Sequence, residues 1–235
     1  FFQQTNSCHL DCFLTTKPRI HKEIYNSILC VFVFFMILQH EISLKSVSLS
    51  GESIKLRPMT ENDWDILLKW NSDSEVLYYA DGNDVTSYNL EEIQDIYRSV
   101  SQNAFCFIIE VDNKPIGECW LQKLNLEILL QEYPDQDCRR IDLMIGEKQY
   151  WGYGIGTEVI RLLTEFGFQK QGTDMIFGCH IADYNVRSLR AFQKVGYRIY
   201  SKKKVNAKAE FIYTVVMNKD EFFNEGRESA GSLPK

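Results

Sequence analysis

Three glycines fall within five residues in Gln149-Tyr150-Trp151-Gly152-Tyr153-Gly154-Ile155-Gly156, where a strand hands over to a helix. Upstream, Ile141-Asp142-Leu143-Met144-Ile145 alternates as a strand does. Downstream, Ile155, Val159, Leu162, Leu163 and Phe166 recur at the spacing of one helix face. Glycine at such a junction frees the backbone and lets a ligand come close to it. The first turn of the helix adds unsatisfied N–H groups and the positive end of the dipole, which suits phosphate. The stretch reads as a phosphate cradle; the alternative is a tight strand–helix turn and no more. Two known patterns are excluded. A mononucleotide P-loop needs Gly-Lys-Ser/Thr, and Gly156 is followed by Thr157 and Glu158. A dinucleotide fingerprint belongs to an early strand–helix–strand unit, whereas this stretch follows several strands.

The pattern of the rest of the chain is that of one domain with an appendage. Ile54–Arg57 alternates as a strand, and a helix starts at Thr60 with Trp64, Leu67 and Leu68 on one face. Leu77–Gly82 reads as an aromatic loop. Its Tyr79 and Asp81 either line a substrate mouth or pack against the sheet. Leu90–Val100 reads as a helix burying Leu90, Ile93, Tyr97 and Val100. Phe105–Val111 and Ile116–Leu121 form a hairpin across Asp112-Asn113-Lys114-Pro115. An acidic segment, Glu127–Asp137, precedes the strand of Asp142. After the glycine helix come a strand at Asp174–Ile181, a helix at Asn185–Val195 stopped by Gly196, and strands at Tyr197–Ser201 and Glu210–Met217.

Residues 1–45 differ in texture. Ile28–Leu38 is apolar throughout but too short to span a bilayer as a helix. Lys17, Arg19 and Lys22 precede it, and no small-residue cleavage site follows. The segment reads as an extension outside the functional domain, upstream sequence translated with it, with Met36 as the natural start. The alternative is a real helix packed on the domain or a membrane surface. The domain is expected over 46–224 and a flexible polar tail over 225–235. A net charge of −6 argues against a nucleic-acid partner and leaves room for a cationic one. Seven cysteines without a C-x-x-C pair read as reduced thiols of a cytoplasmic protein. Cys8, His9 and Cys12 lack the second half of a metal site, so no metal is expected.

Two motifs carry a family resemblance. Gln149-x-x-Gly152-x-Gly154 is similar to the acetyl-CoA pyrophosphate loop of the GNAT N-acetyltransferases. Asn185-Val186-Arg187-Ser188-Leu189-Arg190-Ala191-Phe192-Gln193-Lys194-Val195-Gly196-Tyr197 resembles their Asn-x-x-Ser-x-Arg-x-Tyr-x-Lys-x-Gly-Phe signature. The match runs from about Ser53 to Met217. It implies an α/β (α+β) GNAT fold: a central mixed, twisted sheet of about six to seven strands, with helices on both faces. A splayed parallel strand pair would hold acetyl-CoA, the acetyl-donor co-substrate. The pyrophosphate would lie along Gln149, Tyr150, Trp151, Gly152, Tyr153, Gly154, Ile155, Gly156 and Thr157. Asn185, Ser188 and Phe192 would flank the cofactor arm, and an N–H of Met144 or Ile145 would polarise the acetyl carbonyl.

Within the family, Arg140-Ile141-Asp142-Leu143-Met144-Ile145-Gly146-Glu147 and the acidic insertion before it resemble the aminoglycoside 6′-N-acetyltransferases. The resemblance implies that Asp142 contacts the substrate amine and acts as its base, since the nucleophile must be neutral and such amines are cations in water. Glu118, Glu132, Asp135 and Asp137 would widen an acidic mouth. Phe192 stands where many relatives have a tyrosine that reprotonates the CoA thiolate, leaving Tyr184, Tyr197 or water for that role. His180 stands where the aminoglycoside enzymes have an aspartate, with Asp183 nearby. It reads as a core histidine, a neutral substrate contact or a partial replacement. The implied function is acetyl transfer to a primary amine of a small cationic molecule in a ternary complex. A polyamine or protein N-terminus as acceptor, or a non-catalytic acyl-CoA-binding module, are the alternatives. The protein is expected to be a monomer or homodimer with no membrane partner.

Overall fold

The computed structural model describes residues 40–48, 51–81, 87–205 and 207–230, without the side chains of 225–230. The expectations for residues 1–39 and 231–235 lie outside these. The hairpin forms as expected from β3 (Ala104–Val111) and β4 (Lys114–Lys123). Asp112 and Asn113 turn it with φ of 49° and 62°, the left-handed pair that a two-residue hairpin demands. β2 (Ser53–Pro58) pairs antiparallel with β3, and β1 (Leu44–Val47) with β2. On the other side β5 (Cys138–Ile145) runs antiparallel to β4 and parallel to β6 (Met175–Ala182). β8 (Phe211–Asn218) lies against β6, and β7 (Arg198–Lys204) forms the far edge. The sheet therefore has eight strands in the order β1-β2-β3-β4-β5-β6-β8-β7.

The eighth strand is β1, which the sequence reading did not count. Four residues are too short a run for alternation to declare itself, and pairing with β2 is what makes them a strand. β1 also straddles the boundary expected at 45/46.

Among the described residues, helices cover both faces of the sheet. α5 (Ile155–Lys170) and α6 (Val186–Val195) pack on one, over Leu56, Phe107, Leu121, Ile141 and Ile176. α1 (Trp64–Asn71) and α3 (Leu90–Ser101) pack on the other, over Cys106, Ile108, Trp120 and Met144. Between them in sequence, α2 (Ser74–Ala80) corrects the aromatic loop expected at Leu77–Gly82. The Asp73 carboxylate accepts from the Glu75 and Val76 N–H groups and caps that helix. In α3 Ile93, Tyr97 and Val100 are buried as expected and Ile96 joins them, while Leu90, in the first turn, is 41 % exposed. α4 (Glu127–Glu132) lies inside the acidic segment, and α7 (Lys219–Ala230) extends into the tail expected to be flexible from 225.

The parallel pair is splayed. β5 and β6 share only the rungs Cys138↔Met175, Arg139↔Ile176 and Arg140↔Phe177, yet run on to Ile145 and Ala182. β4 keeps hold of β5 as far as Ile145, and β6 stays with β8 apart from a break in register between Gly178 and Ile181. A wedge thus opens in mid-sheet.

Candidate active site

The glycine turn sits at the head of this wedge. Gly152 and Gly154 have φ of +85° and +82°, which L side chains rarely adopt. A Cβ on either would meet nothing within 4 Å, so it is the backbone conformation, not crowding, that requires glycine. Gly154 is the N-cap of α5, and no side chain caps that helix, whereas Asn89 caps α3 and Asn185 caps α6. The first-turn amides of Ile155, Gly156 and Thr157 are therefore left for an anion, and a diphosphate fits that set. The Trp151 indole N–H donates to the Ile145 carbonyl at 2.8 Å and pins the loop to the end of β5. Ile155 is buried and Tyr150 half-buried, anchoring the loop in the core, while Gln149, Gly152 and Tyr153 are exposed.

Asp142 lies on the wedge strand, on the face of Met144 and opposite Trp120. Four hydrogen bonds reach its carboxylate. Arg140 donates through Nη2 to Oδ1 at 2.6 Å and through Nε to Oδ2 at 2.9 Å. Trp120 Nε1 and Gln122 Nε2 add 2.8 Å and 2.7 Å bonds to Oδ2. Three of the four donors converge on Oδ2, and one meets Oδ1. Asp142 is the residue expected to act as the base, and these donors hold its carboxylate in place. Arg140 and Asp142 are two apart on one strand and share a face, while Trp120 and Gln122 arrive through the ladder to β4.

His180 lies in the break in β6 with φ of +55°. Its Nδ1 is buried and has no hydrogen-bond partner among the described residues. Burial, then the nearby Arg140 charge, push the imidazole below its ordinary value, with Asp142 opposing and Lys203 adding to the shift.

Aromatic rings gather from α2, the glycine loop and the turn after β6. Tyr78 stands 4.8 Å from Tyr79 and 5.0 Å from Tyr184, and Tyr79 stands 5.6 Å from Trp151. Arg187 lies over Tyr79 and Trp151, and Lys208 over Tyr78 and Tyr184. The Asn185 amide donates to the Tyr79 carbonyl at 3.0 Å, while its Oδ1 accepts from the Ser188 N–H at 3.2 Å.

A family model described as the acetyltransferase (GNAT) domain matches residues 53–198. The chain belongs to the GNAT acetyltransferase family. The aminoglycoside N(6′)-acetyltransferase type 1 of Klebsiella pneumoniae is 25 % identical over 156 residues, covering 64 % of this chain and 77 % of that protein. A solved aminoglycoside acetyltransferase holding coenzyme A and kanamycin superposes with a TM-score of 0.61 at 22 % identity, covering 73 % of this chain and 98 % of the other. The spermidine N-acetyltransferase of Vibrio cholerae, with CoA and spermine, gives 0.59 at 13 % identity, over 73 % and 98 %.

Several expected site residues of this GNAT acetyltransferase do other work. Phe192 is 3 % exposed and packs on Gly178, where a Cβ would stand 2.7 Å from its ring, so it belongs to the core beside the wedge. Tyr197 is buried beside it, hydrogen-bonded with Thr164 Oγ1 at 2.8 Å, and burial pushes its phenol up. Of the two tyrosines, Tyr184 alone reaches the aromatic rim. Glu118 is 2 % exposed and accepts from Tyr97 Oη at 3.0 Å, which places it under the sheet face and not at a mouth. Asp183 spends its carboxylate on the Glu210 and Phe211 N–H groups, at 3.2 Å and 3.1 Å, and so fixes the start of β8. Asp81 ends α2, its N–H donating to the Leu77 carbonyl at 2.8 Å. In the acidic segment, Tyr200 donates to the Glu132 carboxylate and Asp137 pairs with Arg139 at 3.0 Å.

The sequence reading missed Arg140, Trp120 and Gln122. Arg-x-Asp on an alternating strand was a visible signal; the other two needed the register. It also missed Gly117, where a Cβ would stand 2.2 Å from the Met144 carbonyl oxygen. That glycine lets β4 approach the very peptide expected to face the acetyl group.

Proposed function

We propose that this acetyltransferase moves the acetyl group of acetyl-CoA to a primary amine of a cationic, aminoglycoside-like small molecule, directly within a ternary complex. The wedge between β5 and β6, headed by the uncapped first turn of α5, carries the reading. The diphosphate would rest on the amides of Ile155, Gly156 and Thr157, and the pantetheine arm would run along the unpaired edge of β5. A Met144 or Ile145 N–H would stabilise the tetrahedral oxyanion, a contribution of about 3 kcal/mol where such donors have been removed. Tyr184, on the aromatic rim, would protonate the departing thiolate. The aromatic rim, already seating two of the protein's own cations, suits an ammonium-bearing acceptor. The relatives named for aminoglycosides and spermidine support an acceptor of that class. Among the described residues, the buried free cysteines Cys106, Cys119, Cys138 and Cys179 accord with a cytoplasmic home.

The test is release of CoA thiol from acetyl-CoA with kanamycin, spermine or a short peptide bearing a free N-terminus. Release with kanamycin ahead of the others is expected. Release with the peptide alone would move the assignment to protein N-termini. Tight acetyl-CoA binding without release in any mixture would make the protein a binding module.

A further inference from the structure

We infer that His180 is the group that takes the proton from the acceptor amine. The inference rests on the acetyl-transfer reading and deepens it. An alkylamine with a pKa near 10 arrives as an ammonium and has no lone pair to attack with. Something in the wedge must accept a proton, and the two candidates differ in what their acceptor atoms are doing. Both oxygens of Asp142 are occupied, one by Arg140 alone and the other by Arg140, Trp120 and Gln122. His180 Nδ1 meets no donor or acceptor among the described residues.

The backbone at His180 points the same way. Its φ of +55° is costly for a residue with a Cβ, and among the described residues only the hairpin-turn pair Asp112 and Asn113 share such a value outside glycine. Those two make a tight turn, where left-handed backbone is required. His180 makes no turn. It sits within β6 where the register to β8 breaks, on the open side of the splayed pair. Strain kept in a strand that borders a ligand wedge is a mark of function. The charged groups facing the ring are Arg140 and Asp142 from β5 and Lys203 from β7. Burial, Arg140 and Lys203 favour the neutral ring, so near pH 7 a nitrogen lone pair is present.

The step balances. With its proton on Nε2, the imidazole accepts one ammonium proton at Nδ1 and becomes imidazolium. The freed amine attacks the thioester carbonyl, and a C–N bond forms. Collapse of the tetrahedral adduct breaks the C–S bond, and the electron pair leaves on sulfur. The second nitrogen proton reaches that sulfur to give CoA thiol, and the imidazolium returns its proton to solvent.

The experiment uses the full chain with acetyl-CoA and kanamycin or spermine. His180→Asn suits the position, because asparagine tolerates left-handed backbone, and it removes the basic nitrogen. Turnover at pH 7 is expected to fall roughly 10²-fold, while acetyl-CoA affinity by calorimetry stays unchanged. The acid limb of the wild-type pH–rate profile, expected below the ordinary histidine value near 6.5, should move up toward the amine's own pKa. His180→Gly, with added imidazole, should regain part of the rate. Near-normal turnover in His180→Asn with the wild-type acid limb, or no imidazole rescue of a folded glycine variant that binds acetyl-CoA, overturns the role of His180 and leaves acetyl transfer standing. Absence of thiol release from wild-type protein with every amine overturns acetyl transfer itself, and this inference with it.

Discussion

Arg140 grips Asp142 through both sides of its guanidinium, Nη2 to Oδ1 at 2.6 Å and Nε to Oδ2 at 2.9 Å. The side chains are 3 % and 10 % exposed. Burial works against the Arg140 charge, and Asp142 outweighs it, holding the guanidinium's proton more tightly than usual. Arg140 also donates to Asn125 Oδ1 at 3.1 Å, so the pair ties the loop after β4 to the base of the wedge.

Removing one partner of a buried pair strands the other. Arg140→Met is expected to destabilise the fold by about 3 kcal/mol, read from urea unfolding. A loss under about 1 kcal/mol would mean the pair behaves as a solvent-screened one. Asp142→Asn should also lower stability and move the acid limb of the pH–rate profile further down, because the Asp142 charge opposes the lowering of the His180 pKa. A limb that moves up toward the amine's own pKa in Asp142→Asn would return the base to Asp142.

The cofactor loop can be tested at Gly154. Valine there must adopt φ of +82°, which costs about 1–2 kcal/mol. The added side chain also projects from the turn on which the diphosphate would rest. Acetyl-CoA affinity should weaken at least tenfold, about 1.4 kcal/mol, in a variant whose circular dichroism remains native. Unchanged affinity in calorimetry would reduce the loop to a turn.

Glu158 links the edge strand to α5: it accepts from Ser46 on β1 and from Arg161, which itself donates to Ser46 at 3.1 Å. The Arg161 hydrogen bonds hold its carboxyl below the ordinary value, burial opposes them, and Ser46 assists. A depressed folded pKa gives stability that is full above the unfolded value, near 4.3, and lost as pH falls through the folded one. The stability gap between wild type and Glu158→Gln should therefore be constant from pH 7 to about 5 and close below about 4. A gap that persists at pH 3 would show that the carboxylate's charge is not what matters.

We propose that the working domain begins ahead of the boundary expected at 45/46. His40 packs on Phe105 and Phe107, at 5.5 Å and 4.6 Å between ring centres, and its Nε2 lies 3.1 Å from the Cys106 carbonyl. A chain starting at His40 should bind acetyl-CoA as the full chain does. A chain starting at Ser48, lacking β1, should melt several degrees lower. Equal melting temperatures for the two would show β1 to be dispensable.

What the sequence determined by itself was local. Apolar periodicity marked the hairpin and the long helices α3, α5 and α6, because a buried face imposes its period on consecutive residues. Gly152 and Gly154 were legible because their φ values of +85° and +82° demand glycine whatever surrounds them. The two motifs on either side of β6 made the family plain for the same reason, since each is a continuous run. α2 was hidden because Leu77-Tyr78-Tyr79 looks like an aromatic loop until Asp73 caps it, and β1 because four residues become a strand only beside β2.

Tertiary structure decided which acids and aromatics face the site. Glu118 and Asp142 lie on the same sheet face, yet one is sealed beneath Tyr97 and the other held by donors from two strands. Phe192 sits in the motif but packs into Gly178. Strand register and burial couple residues far apart in the chain, as Trp120 and Gln122 are to Asp142, and no local pattern encodes that pairing. A carboxylate's chemistry depends on how many donors reach it, and those donors are assembled only when the sheet closes around them.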